Sequence, residues 1–156
     1  MANFDAVAKS KSEFERVEQV LGQLEKLASF TSAIGRWPEA LSIRIFVVKE
    51  WRTMYGEEYP DTIRAMNNLA STLRDQGKHS EAAAMSQEVL EKMRRILGKE
   101  YPDTILAMNN LASILRYQGK YSEAAAIKKE VLEKMRQILG EEHPDTISLE
   151  KRMRIF

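Results

Sequence analysis

The chain has 156 residues, of which 44% are hydrophobic and 30% charged, and its formal net charge is +1. This composition indicates a soluble globular domain, and the near-zero charge excludes a strong general attraction to nucleic acid or anionic membranes. The absence of cysteine excludes disulfides and thiol chemistry. Because there is no signal-peptide pattern and no run of 18 apolar residues, we predict a cytoplasmic protein without a membrane span.

An internal repeat of 42 residues dominates the sequence. Residues 59–98 and 101–140 are identical at 32 of 40 paired positions, and the letters Pro-Asp-Thr return at 144–146. A period of this length is typical of stacked supersecondary units whose neighbours share one hydrophobic core. We therefore expect each repeat to form the same local structure.

The first part of the chain is the least regular. Residues 1–11 are weakly patterned and are predicted to be a lead-in that either forms a short helix or frays. A single domain is predicted over residues 12–156, and it opens with a degenerate repeat at about 18–56. Apolar residues at three- and four-residue steps predict its first helix, and a second helix should start near Trp37 and stop at Gly56.

The two near-identical repeats are predicted at about 60–98 and 102–140. In repeat two, Gly77 separates two helices, and Ser80 is the predicted N-cap of the second helix. Each pair of helices should form an antiparallel hairpin with a core that is continuous with the neighbouring hairpins. Four methionines recur at core spacing and are expected to fill the core, namely Met66, Met93, Met108 and Met135.

The last segment, 144–156, is predicted to form the first helix of a repeat without a second helix after it. Glu150 and Arg154 stand where repeats two and three carry Met and Ala on the face toward their second helix. We interpret this segment as a C-terminal capping helix whose polar residues face water and close the stack. The alternative is sequence drift in a fragment of a longer array.

The repeat motifs resemble those of a known family, through the letters NNLA, QGK(H/Y)SEA, VLE and LG(K/E)E(Y/H)PDT. Together they resemble the 42-residue tetratricopeptide repeat of kinesin light chains, and they are similar to arrays in fungal NB-ARC and NACHT-type signalling ATPases. The resemblance covers about residues 18–156. It implies an all-α, right-handed superhelical solenoid of antiparallel helix hairpins, with about seven helices including the capping helix. It also implies that first helices line a concave groove for a peptide or partner protein, without catalysis.

The chain offers few candidates for catalytic or metal chemistry. His79 and His143 are its two histidines, and each stands where another repeat carries Tyr, which favours a structural role. No phosphate-binding glycine loop and no His-Glu-x-x-His motif occurs. We predict that the protein is not an enzyme and holds no metal or cofactor.

A polar stripe runs along the first helices, beside their apolar stripe. Asn can donate to and accept from the backbone of an extended peptide, and Arg offers a planar fork to carboxylates. An apolar and an aromatic residue interrupt the stripe in repeat three, and two basic residues extend it onto the last helix. The predicted peptide-binding residues are Arg64, Asn67, Asn68, Ser71, Arg74, Leu106, Asn109, Asn110, Ser113, Arg116, Tyr117, Lys151 and Arg152.

Several readings of this stripe remain open. The predicted ligand is an extended peptide with acidic groups and one large apolar anchor, but Asn67 and Asn109 could instead bond neighbouring repeats and order the stack. The alternative functions are a self-association scaffold, with homo-oligomers formed through the stack ends, and the ligand-sensing end of a larger signalling ATPase. No nucleic-acid or membrane partner is predicted.

Overall fold

Seven helices follow one another along the chain. The computed structural model describes residues 2–154, and side chains from residue 10 to residue 153, so Arg154's side chain and the last two residues of the expected capping segment lie outside it. No β-strand occurs within the described range. The helices are α1 (Ala2–Ala33), α2 (Trp37–Tyr55), α3 (Pro60–Asp75), α4 (His79–Ile96), α5 (Pro102–Tyr117), α6 (Tyr121–Leu139) and α7 (Pro144–Arg154).

The corner between first and second helices has the same geometry in successive repeats. Gly77 has φ +79°, its N–H donates to the Arg74 carbonyl at 2.9 Å, and the Lys78 N–H donates to the Leu73 carbonyl at 2.9 Å. These bonds satisfy carbonyls at the end of α3 and form a Schellman-type turn, which favours glycine at the left-handed position. Gly119 occupies the same place after α5, with φ +78°.

The prediction that Ser80 caps the second helix is wrong. Helix α4 begins one residue earlier, at His79, and its N-cap residue is Lys78, which makes no side-chain capping bond. The physical reason lies in the corner, because the bond from the Lys78 N–H to the Leu73 carbonyl already sets the direction of the chain. The next helix can then begin at once, and Ser80 falls inside its first turn.

The core runs through the stack from hairpin to hairpin. Each helix packs against the next helix in the chain, and α3 also contacts α5. Met66, Met93 and Met108 are buried in one continuous cluster, and Met135 packs against it. The predicted core role of these methionines is therefore confirmed.

The residues predicted as a lead-in are part of a long helix. Residues 2–11 continue α1, which extends to Ala33 and is the longest of the seven helices. Near its middle, the Tyr55 hydroxyl at the end of α2 donates to Glu18 at 2.5 Å. This contact sets the end of α2 beside residue 18, so the first turns of α1 extend past the end of α2.

Repeat one is joined to repeat two by the buried guanidinium of Arg44 in α2. Its Nη1 donates to the Asn68 carbonyl at 3.1 Å and to the Thr72 hydroxyl, both in α3. Its Nη2 donates to the Ser29 hydroxyl in α1 at 3.1 Å, and its Nε lies 3.4 Å from a Glu25 carboxylate oxygen. Burial raises the pKa of Glu25, and the charge of Arg44 opposes that rise. One side chain therefore links three helices.

Helix α7 packs against α6 through the buried Leu149. Glu150 does not simply face water, as the sequence suggested, because a carboxylate oxygen lies 3.3 Å from an Arg136 nitrogen of α6. An ion pair thus replaces the methionine contact of the earlier repeats at this position. The pair is partly exposed, so it adds little net stability.

The Arg44 cluster predicts a strong coupling between two side chains. Arg44→Met should lower the free energy of unfolding by about 2–4 kcal/mol, because it leaves the Glu25 carboxylate buried without its cation. Glu25→Gln in the same background should recover most of that loss. Urea denaturation of the two single variants and the double variant measures this. Additive effects of the two substitutions would show that the pair is not coupled.

Candidate functional site

Three of the predicted asparagines bond between repeats. Asn110 in α5 donates from Nδ2 to Oδ1 of Asn67 in α3, at 3.2 Å, and Asn67 is buried. Asn68 donates from Nδ2 to a Glu25 carboxylate oxygen of α1 at 3.1 Å. These bonds are the ones expected if the asparagines order the stack, which was the alternative to ligand contact.

Arg64 also connects two repeats. Its Nη1 lies 2.6 Å from an Asp61 oxygen in the same helix, and its Nε lies 2.5 Å from an Asp103 oxygen at the start of α5. Hydrogen bonds to Asp103 and then to Asp61 raise the pKa of Arg64, so the guanidinium stays charged. The bridge spans the gap between α3 and α5.

Three further stripe residues bond locally. Ser71 and Ser113 donate to carbonyls four residues earlier in their own helices, at 3.3 and 2.9 Å. Arg74 donates from Nε and Nη2 to Asp75 at 2.8 and 2.7 Å. These residues keep a polar surface on the first helices, but the charge of Arg74 is already balanced by Asp75.

Positive charge gathers around Asn109 in α5. Lys128 of α6 donates from Nζ to Oδ1 of Asn109 at 2.5 Å. Burial lowers the pKa of Lys128, and the charges of Arg152, Arg116 and Arg74 lower it further, in that order. Three arginines, from α3, α5 and α7, therefore influence one half-buried ammonium group on α6.

A pocket of about 370 Å³ opens beside this cluster, between α5, α6 and α7. Aliphatic side chains form most of its wall, and polar side chains stand among them. The lining residues are Pro102, Ile105, Leu106, Asn109, Val131, Met135, Ile138, Leu139, Asp145, Ser148, Leu149 and Arg152.

The pocket lies where repeat three departs from repeat two. Leu106 stands 42 residues after Arg64, and Asp145 stands 42 residues after Asp103. A leucine cannot make the ion bridge that Arg64 makes to Asp103, so no such bridge crosses from α5 to Asp145. The half-exposed Leu106 instead contributes an apolar wall to the pocket.

The remaining predicted residues lie on α5 and α7. Tyr117 is exposed and stacks on His79 of α4, with ring centroids 5.2 Å apart and planes 9° apart. Lys151 is exposed on α7. Arg152, also exposed, donates to the Ser148 hydroxyl at 3.2 Å. The structure thus brings Leu106, Asn109 and Arg152 together at one pocket.

Sequence reasoning missed Lys128. The second helices were interpreted only as packing elements, so their inward polar positions were not considered. The signal was present, because the 42-residue period aligns Lys128 with Arg44 and Ser86. Two of these three aligned residues, Arg44 and Lys128, are basic, which indicates that the position makes a polar contact with the first helices.

The described residues contain neither a metal-binding group of side chains nor a membrane-spanning helix. No group of three or more His, Cys, Asp or Glu side chains among them could hold a metal ion. No helix in the described part of the chain is long and apolar enough to cross a membrane. The region around Asn109 combines cations, amides and an apolar pocket.

Comparison with known proteins gives a consistent result. Two tetratricopeptide repeat models match residues 20–95 and 104–145. A solved structure from Podosopora anserina, described as a kinesin light chain with nearly identical TPR-like repeats, superposes with a TM-score of 0.80 at 22% identity. It covers 85% of this chain and 63% of its own length. The chain matches no curated protein.

A second solved structure, BtubC (BKLC) from P. vanneervenii, has a TM-score of 0.78 at 20% identity over 97% of this chain and 59% of that one. The chain thus spans about 60% of the length of these structures. Likeness at this identity concerns the fold, and it confirms the predicted right-handed solenoid of helix hairpins. The chain belongs to the tetratricopeptide repeat family, and its fold is that of the kinesin-light-chain type of repeat.

Proposed function

We propose that the chain binds an extended, acidic segment of a partner protein along α3, α5 and α7. Tetratricopeptide repeats mediate protein–protein interactions, which supports binding in place of catalysis. The observation that carries the proposal is the pocket at Leu106, which adjoins the cation cluster around Asn109. In this proposal the chain acts in the cytoplasm.

The cations select the charge of the partner. Lys128 is half buried, and burial followed by the charges of Arg152, Arg116 and Arg74 lowers its pKa, so its positive charge is disfavoured while no anion is bound. A carboxylate from the partner would relieve this repulsion and would bond to groups that are already in place. Arg116 and Arg152 present the forked donors that suit carboxylates.

The pocket favours a partner segment with one large apolar side chain, which would serve as its anchor. Its wall is mostly aliphatic and its volume of about 370 Å³ is of the size that takes one large side chain. A tryptophan, phenylalanine or leucine placed there would leave its own backbone near Asn109 and Arg152. Binding energy in such interfaces concentrates on one or two buried anchors.

The stripe residues divide into two groups in this proposal. Leu106, Asn109, Arg116, Tyr117 and Arg152 contact the partner, and Lys151 adds positive charge. The other predicted residues bond within the protein. Arg64, Asn67 and Asn110 join α3 to α5, and Asn68 joins α3 to α1. Ser71 and Ser113 bond within their own helices, and Arg74 pairs with Asp75.

Self-association is a second candidate function, and a different surface favours it. Of the sixteen exposed large hydrophobic side chains among the described residues, nine lie between Phe14 and Phe46. Such a concentration marks an interaction surface. A role as the sensing end of a larger signalling ATPase rests on resemblance alone.

Closing the pocket should abolish binding without unfolding the protein. Leu106→Arg places a guanidinium where Arg64 stands in repeat two, so it should bridge to Asp145 and fill the pocket. We expect at least about tenfold weaker binding of a labelled glutamate-rich peptide containing one tryptophan, measured by fluorescence anisotropy. The added positive charge alone would strengthen binding, so a loss identifies the pocket.

Arg64→Leu is the matched control for this experiment. It removes the bridge to Asp103 and lies outside the proposed contact group, so the affinity for the peptide should stay within about twofold of wild type. A lysine-rich peptide with the same tryptophan should not bind. Equal affinity of wild type and Leu106→Arg, or equal binding of both peptides, contradicts the proposal.

Lys128 should contribute to binding and reduce stability. The pKa of Lys128 in the folded protein is lower than the ordinary lysine value of 10.5. Just below pH 10.5 the unfolded chain therefore binds more protons than the folded chain, so the free energy of unfolding should rise with pH in that range. Lys128→Met should remove this dependence, stabilise the fold by about 1 kcal/mol, and weaken peptide binding. Thermal unfolding at several pH values, with anisotropy at neutral pH, measures both effects. A variant that is destabilised and binds normally would count against the site.

A further inference from the structure

Repeat one contains an internal carboxylate held by two neighbouring helices. The Oε2 atom of Glu25 in α1 accepts a hydrogen bond from Nδ2 of Asn68 in α3, at 3.1 Å. The Nε atom of Arg44 in α2 lies 3.4 Å from the same oxygen. A basic side chain of the second helix and a donor of the next first helix thus bind one carboxylate. We call Glu25, Arg44 and Asn68 the first set.

The 42-residue period gives a counterpart for each member of the first set. The second set is neutral, and the third set has two basic side chains around an amide. The second set is Asn67, Ser86 and Asn110, and the third set is Asn109, Lys128 and Arg152. The acceptor keeps a partner in both, since Asn67 accepts from Asn110 at 3.2 Å and Asn109 accepts from Lys128 at 2.5 Å. The three sets therefore share their place in the repeat and differ in their charge.

Charge balance distinguishes the third set from the other two. Glu25 and Arg44 balance each other in the first set, and the second set carries no charge. In the third set, Lys128 and Arg152 bring two positive charges, whereas Asn109 brings none of either sign. Burial and then the charges of three arginines lower the pKa of Lys128, and no carboxylate of the described residues opposes this. The third set thus has the basic side chains of a carboxylate site and no acidic side chain of its own.

The third set is also more open to solvent than the first. The side chains of Arg44 and Glu25 are only 8% and 20% exposed, so the internal carboxylate closes the first set. Asn109 and Arg152 instead line the pocket of about 370 Å³, and Arg152 is exposed. A group that enters from the pocket can therefore reach both side chains.

We propose that the third set binds one carboxylate of the partner, in the place that Glu25 takes in repeat one. This inference rests on the proposed function and names the group that the cations bind, the side chain of a glutamate or aspartate. Lys128 and Arg152 supply charged donors, and the Arg152 guanidinium offers the fork that suits a carboxylate. Asn109 adds a neutral donor, its Nδ2 amide, which a glutamate at that position would lack.

The position of the third set also fixes the spacing of the partner's residues. Asn109 and Arg152 belong both to the third set and to the wall of the apolar pocket. An extended chain advances roughly 3.3 Å per residue, so the acidic residue should lie within about three residues of the apolar anchor. Acidic residues farther along the partner would gain only screened attraction to the surface.

Asn109→Glu tests the site without any peptide. The substitution supplies the acidic side chain that repeat one has, so the thermal midpoint should be about 2–4 °C higher than for Asn109→Gln, a neutral side chain of the same length. The rise of stability with pH just below 10.5 should also disappear, because a carboxylate opposes the lowering of the pKa of Lys128.

Asn67→Glu is the matched control for this experiment. It makes the same change in repeat two, where Ser86 stands in place of Lys128, so the new carboxylate has no base beside it. The thermal midpoint of this variant should therefore fall. A midpoint of Asn109→Glu equal to or below that of Asn109→Gln would overturn the inference, whatever the peptide does.

Fluorescence anisotropy connects the site with the partner. Asn109→Glu should weaken binding of the labelled glutamate-rich, tryptophan-containing peptide at least about tenfold more than Asn109→Gln does. Equal affinities of these two variants would overturn the inference and leave the proposed function standing. A wild type that does not bind the peptide, together with a stabilised Asn109→Glu, would overturn the proposed function and support the carboxylate site.

Two peptides of identical composition test the spacing. One carries a single glutamate beside its tryptophan, and the other carries that glutamate about six residues away, beyond the reach of the third set. The first peptide should bind at least about fivefold more tightly to wild type. Equal binding of the two peptides would overturn the placement of the carboxylate at Asn109.

Discussion

The structure depends on one packing relation, in which α3 and α5 each bury one face on the second helix before them and another on the second helix after them. Burial of a Leu, Ile or Met side chain in this seam contributes about 1.5–3 kcal/mol, and no single hairpin provides enough of it to be stable. Hydrogen bonds and ion pairs then fix the position of each repeat relative to the next. Arg44, the Asn67–Asn110 pair and the Arg64–Asp103 bridge all join one repeat to the next.

The same relation explains where binding surfaces arise. The two near-identical repeats differ at eight of 40 paired positions, and three of the changed residues are Leu106, Tyr117 and Lys128. Leu106 and Tyr117 replace residues that make ion pairs in repeat two, Arg64 and Asp75. Leu106 takes the place of the bridging Arg64, and Lys128 brings a cation beneath Asn109 where repeat two has the uncharged Ser86. The pocket and the cations are thus a local departure from the repeat pattern.

Much of the fold could be predicted from the sequence because three aligned repeats show the same pattern of proline, glycine and apolar positions. Proline and glycine positions gave the helix limits, and the 3–4 apolar spacing gave the buried faces. The prediction for Ser80 failed because a backbone turn at Gly77 already sets the helix start.

The site was harder to predict than the fold. Sequence spacing places Asn67 and Asn109 on equivalent faces of their helices, but it does not show their partners. Asn67 bonds to Asn110, whereas Asn109 bonds to Lys128. Those partners come from neighbouring helices.

We propose that the residues joining α3 to α5 hold the stack, whereas the pocket at Leu106 and the cations around Asn109 bind the partner. Amide and side-chain NMR spectra recorded during titration with a glutamate-rich, tryptophan-containing peptide test it most directly. The account predicts the largest shifts at Leu106, Asn109, Lys128 and Arg152, with small shifts at Arg64, Asn67 and Asn110. Shifts centred on the residues that join α3 to α5, or on α1, would contradict it.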